Sequence, residues 1–136
     1  MIFQEIKLTP KIAYVVNMLY MSSADGIIEQ EEITYLLTIL HGDLKLIRIA
    51  EKYMKQSEKK GLNFNDFLEE SSKILSLEQK ETILINLIDM MYSDNELELH
   101  EEKLLKYILK KYDIDENKLD LYKNVIAKKN NYSIFK

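Results

Sequence analysis

Helical periodicity runs almost without a break through this chain, and it makes an all-α fold the expectation. Apolar residues recur at three- and four-residue steps in long segments. No stretch alternates apolar and polar residues between turn signals as a half-buried strand does. Helix breakers are scarce: 136 residues hold one proline, Pro10, and three glycines, Gly26, Gly42 and Gly61. The length suits a single domain, 1–136, and no Pro-, Gly- or Ser-rich linker divides it.

The spacing predicts about seven helices. The first runs from Thr9 to about Ser23, with Thr9 as cap and Pro10 at the first helical position. It is apolar around most of its circumference, which predicts a central, buried helix. A short turn at Ala24–Ile28 leads to a second helix, Glu29–Leu40, stopped near His41-Gly42. The third spans Asp43–Lys60, capped by Asp43 and stopped by Gly61, with Leu44, Ile47, Ala50, Tyr53 and Met54 as its inner stripe. The fourth spans Asn65–Leu75. Ser76-Leu77-Glu78-Gln79 reads as a capping box opening a fifth helix to Tyr92. After a second short turn, Ser93–Leu97, come Glu98–Tyr112 and a helix capped by Asp115 that ends near Lys129. The tail 130–136 is polar except for Ile134 and Phe135, two candidate docking residues.

Composition excludes several chemistries. There is no cysteine, so disulfides, thiolate metal sites, iron–sulfur clusters and cysteine nucleophiles are all ruled out. Three scattered glycines cannot build a phosphate-cradling loop or a dinucleotide fingerprint. The longest apolar run, Ile12–Met21, is interrupted by Asn17 and is about half the roughly twenty residues a spanning helix needs. No secretion signal opens the chain, which predicts a cytoplasmic protein, membrane-associated through partners if at all. A net charge of −4 argues against a general nucleic-acid binder.

The most informative feature is self-similarity at an offset of 69 residues. Asn17, Met21, Asp25, Glu29 and Glu32 repeat as Asn86, Met90, Asp94, Glu98 and Glu101. Leu36, Ile39 and Leu40 then repeat as Leu105, Ile108 and Leu109. Each copy, roughly 10–42 and 77–112, reads as buried helix, acidic turn, amphipathic helix. One such pair cannot bury its apolar face alone, so two pseudo-symmetric halves are expected to share a core.

The two turns resemble the tellurite-resistance TerB-like family. Its signature is a repeated Ala-Asp-Gly, a hydrophobic residue two positions after the Gly, and an acidic helix start with Glu seven residues after the Asp. Ala24-Asp25-Gly26-Ile27-Ile28-Glu29-Gln30-Glu31-Glu32 fits the pattern well. Ser93-Asp94-Asn95-Glu96-Leu97-Glu98-Leu99-His100-Glu101 departs from it at Ala and Gly, although Asn also tolerates left-handed backbone. The resemblance implies an all-helical fold with two similar halves, an association with bacterial stress responses, and acidic positions proposed to bind a metal ion.

The charges themselves are segregated. Residues 25–32 carry four acids and no base, and residues 89–102 carry six acids and no base. Residues 103–136 hold nine lysines against four acids. Asp25, Glu32, Asp94 and Glu101, if gathered, would repel one another, and a divalent cation would relieve this. Oxygen donors suit calcium, magnesium or manganese. Zinc would want histidine, and only His41 and His100 exist. A basic protein partner would serve the same purpose. The competing reading makes the acids purely structural: acids in the first turn of a helix offset its dipole, by about 0.3–1 kcal/mol each. An EF-hand is excluded, because Leu99 and Leu105 stand where that loop needs Gly and Glu.

Nine tyrosines at helical spacing read as core-edge residues rather than a ligand cage. Lys110, Lys111, Lys123, Lys128 and Lys129 form the better basic patch, suited to anionic lipid or an acidic protein. No serine sits in a nucleophile-elbow context, so the chain is expected not to be an enzyme. The leading expectation is a non-enzymatic stress-response module with an acidic pole, its partner a protein or a divalent cation. The alternative is a helical scaffold or co-chaperone-type adaptor in which the acids only cap helices.

Overall fold

The computed structural model describes residues 4–23, 30–91 and 99–135. Among these it has seven α-helices: α1 Pro10–Ser22, α2 Gln30–Ile39, α3 Leu44–Lys59, α4 Phe64–Ile74, α5 Leu77–Met91, α6 Leu99–Lys111 and α7 Asn117–Lys129. A 3-10 turn, Tyr132–Phe135, follows α7. The described residues contain no strand, so the all-α expectation holds. The helices fall into two compact units, residues 1–76 and 77–136.

Local signals explain most boundaries. Thr9 is extended and its hydroxyl accepts from the Ile12 N–H at 3.3 Å, while Pro10 takes the first helical position. Asp43 Oδ1 accepts from the Leu46 N–H at 3.0 Å and opens α3. Helix α4 starts one residue earlier than expected because Asn63 and Asp66 form a reciprocal capping box. Each side chain accepts from the other's backbone N–H at 2.9 Å. Asp115 acts from slightly further out than expected. Its Oδ1 accepts from the Asn117 N–H at 2.9 Å, and the intervening Glu116 is already helical.

Three helices end in the same paired-bond motif, in which the chain reverses through a left-handed residue. After α3 that residue is Gly61, at φ 75°. After α2 it is His41, at φ 54°, followed by the left-handed Gly42; after α6 it is Asp113, at φ 55°. The bonds match at all three ends: Gly42 to Leu37, Leu62 to Ser57 and Ile114 to Leu109 span six residues. The stop expected near His41-Gly42 is made there, with His41 as the left-handed residue.

In the first unit α1 packs against α3 and α4. Its buried residues lie on every side: Ile12, Ala13, Val15, Val16, Met18, Leu19 and Met21. The polar side chains among them donate to the backbone of their own helix. Asn17 Nδ2 donates to the Ala13 carbonyl at 2.9 Å and the Ser22 hydroxyl donates to the Met18 carbonyl at 2.8 Å. Tyr20 meets Phe64 and Phe67 of α4 at ring-centroid distances of 4.4 and 6.1 Å. The extended segment before α1 is strapped to α3: Ile6 and the Gln56 amide exchange two hydrogen bonds, and Glu5 pairs with Lys60.

In the second unit α5 packs against α6 and α7. Ile83, Leu84, Leu87, Ile88 and Met90 form its buried face, with Leu105, Ile108 and Leu109 from α6 and Leu119, Tyr122 and Ile126 from α7. Two expectations are corrected. Leu44, assigned to the inner stripe of α3, is 46% exposed; that stripe is Ile47, Ala50 and Tyr53, with Met54 half-buried. Ile134 and Phe135 do not dock within the chain; they are 67% and 80% exposed.

Candidate functional site

Helix α2 places Glu31 and Glu32 in its first turn, and Glu32 is half-buried. Of the apolar residues of α2 only Leu36 is fully buried, while Ile33 is partly exposed. The helix therefore leaves a groove of about 480 Å³ between itself, the end of α1 and α3. Leu19 and Ser22 from α1, Ile33, Leu36 and Leu37 from α2, and Leu44, Ile47 and Met54 from α3 line it. Its charged members are mostly acidic: Glu32, Glu51 and Glu58 against Lys55. Small side chains at the end of α1, Ser22 and Ser23, contribute to the space. The Tyr20 hydroxyl is held above its usual pKa, first by burial and then by the charge of Glu58.

Helix α6 places Glu101 and Glu102 in its first turn. Glu102 has a structural partner: its Oε1 accepts from Lys123 Nζ of α7 at 2.9 Å. That bond, then the charge of Lys123, holds its carboxyl below the usual range. Asp89, at the end of α5, accepts from Lys129 Nζ at 2.8 Å and from Asn130 Nδ2 at 3.0 Å. Two of the six acids counted between residues 89 and 102 are therefore engaged in tying helices together. The bases that neutralise them come from α7, outside the stretch in which the acids were counted.

Glu81 makes a third such tie, one that the acidic stretches do not include. It accepts from the Tyr122 hydroxyl at 2.5 Å and pairs with Lys118 at 3.5 Å. Its carboxyl is lowered chiefly by the tyrosine bond, and Tyr122 is pushed up to about 12, by burial first and by Glu81 second. A smaller pocket of about 420 Å³ lies along α6, lined by Lys103, Lys106, Tyr107, Lys110, Ile114 and Glu116 among others.

Of the four residues expected to gather, Asp25 and Asp94 lie outside the described residues, as do both segments, 24–28 and 93–97, expected to be turns. Glu32 and Glu101 stand in comparable places, each in the first turn of its helix. Among the described residues no group of three or more His, Asp or Glu side chains is placed to hold a metal ion. His41 is exposed at the end of α2, and His100 belongs to α6.

A helical array in which long helices lead into acid-started partners, with no strand among the described residues, defines a class of small all-α modules. The chain belongs to the tellurite-resistance TerB family: the family model described as "Tellurite resistance protein TerB" matches residues 11–124. The match runs from the second residue of α1 into α7 and leaves residues 125–136 beyond it. No curated protein and no solved structure gives a significant match to the chain.

Proposed function

We propose that this chain is a non-enzymatic stress-response module of the tellurite-resistance type that seats a basic amphipathic protein segment in the groove between α1, α2 and α3. The observation that carries the reading is the coincidence of Glu32 with an open apolar groove whose rim also holds Glu51 and Glu58. Apolar walls supply burial and the acidic rim selects for a basic partner, the usual division between affinity and specificity. A helical segment with leucines at three- and four-residue spacing and flanking lysines fits this chemistry. The test is a fluorescence titration with such a peptide and with its glutamate-flanked counterpart. The lysine peptide should bind and the glutamate peptide should not. Ile33→Asp, at a partly exposed position, and Glu32→Lys should each weaken binding about tenfold, the scale of one lost anchor or reversed charge. Equal binding of the two peptides, or none of either, overturns the reading.

A second reading is supported by the parallel placement of Glu32 and Glu101 in first helical turns. In it Asp25, Glu32, Asp94 and Glu101 hold a divalent cation. The donor set is all carboxylate oxygen, which suits calcium, magnesium or manganese better than zinc. Calorimetric titration with each ion tests it: heat and a raised Tm in the wild type, lost in Asp25→Asn with Asp94→Asn, support a metal site. If neither the cations nor the peptides bind, the remaining reading is a scaffold whose acids offset helix dipoles.

A further inference from the structure

The four most exposed large apolar residues described in the chain all lie between positions 121 and 135: Leu121 at 60%, Val125 at 58%, Ile134 at 67% and Phe135 at 80%. Leu121 and Val125 are one helical turn apart on α7, so they share a face. That face is turned away from the helix's own core residues, Leu119, Tyr122 and Ile126. Lys118 precedes the pair and Lys128 follows it at helical spacing, which places both on the same side. From 117 to 136 the chain has five lysines and a single acid, Asp120, in a protein whose net charge is −4. Lys118 and Lys129 pair with Glu81 and Asp89, yet their side chains stay 41% and 59% exposed.

We propose that the outer face of α7 and the 3-10 turn after it form a docking surface for an anionic lipid bilayer. A basic amphipathic helix with apolar residues on its free face lies in the interface between headgroups and acyl chains, its lysines against anionic headgroups. No described helix is long and apolar enough to cross a membrane, so the contact is peripheral. Most of the segment falls outside residues 11–124, the part of the chain matched to the family. The inference is independent of the groove and of any cation.

Co-sedimentation of the full chain with phosphatidylcholine vesicles, with and without phosphatidylglycerol, tests the proposal. Binding is expected only with phosphatidylglycerol, and it should fall as salt rises. Lys128→Ala should weaken it about fivefold, the share of one lysine at such a surface. Leu121→Ser with Val125→Ser, and separately Ile134→Ser with Phe135→Ser, should each weaken it about tenfold or more by removing inserted methylenes. All these positions are exposed, so unchanged helicity and Tm are expected and separate loss of binding from loss of fold. Absence of binding to phosphatidylglycerol vesicles overturns the proposal, as does binding that both double variants leave intact. A dimer in solution that Leu121→Ser with Val125→Ser dissolves would assign the face to a second copy, and overturns it too.

Discussion

Tyr122 shows how much one side chain contributes to joining helices. Its ring is buried in the second unit while its hydroxyl reaches Glu81 on α5. Tyr122→Phe keeps the ring and removes the bond, which should lower stability by about 1 kcal/mol in urea unfolding. NMR titration of the variant should find the Glu81 carboxyl returning toward its ordinary value of 4.5. Asp113 makes the opposite kind of prediction. It holds a left-handed backbone that a side chain disfavours, so Asp113→Gly should stabilise the protein by about 1 kcal/mol. The role of Asp113 was not legible in the sequence. Gly61 announced its turn because glycine is the usual residue there; His41 and Asp113 occupy the same position with side chains that only occasionally do so.

At the scale of elements, α2 and α6 are the instructive pair. Their sequences match at an offset of 69 residues, and both carry acids in the first turn. Yet α6 buries Leu105, Ile108 and Leu109, whereas of the matching Leu36 and Ile39 in α2 and Leu40 just after it only Leu36 is fully buried. Fewer buried contacts mean a lower cost of local opening. Amide hydrogen exchange should therefore be faster across Thr34–Ile39 than across Leu105–Lys110, and equal protection would contradict the reading of α2 as the weakly held wall of a groove. Helix number and most boundaries were legible, because caps and stops act over a few neighbouring residues. The start of α4 was missed because Asn63 and Asp66 use a less familiar pair of side chains for the box that Ser or Thr with Glu usually makes.

For the whole molecule, the distribution of charge matters more than its sum. Glu81 and Glu102, both in the second unit, have carboxyls lowered by bonds made only in the folded chain. A group lowered in the folded state contributes stability that is present above its unfolded value, near 4.5, and is lost as pH falls through the folded value. The second unit should therefore lose stability progressively below about pH 4.5. Residue-resolved NMR through an acid titration should show signals of α5, α6 and α7 weakening before those of α1 and α3.

The amino-acid order alone determined the helical class, the succession of elements and most of their boundaries. These follow from periodicity and capping, which depend on near neighbours along the chain. Only the tertiary structure decided that Glu102 and Asp89 are neutralised by Lys123 and Lys129, that Leu44 borders a groove instead of a core, and that Phe135 stands in solvent. The reason is physical. A charge or an apolar surface takes its role from whatever lies opposite, and what lies opposite comes from another helix, tens of residues away in the chain.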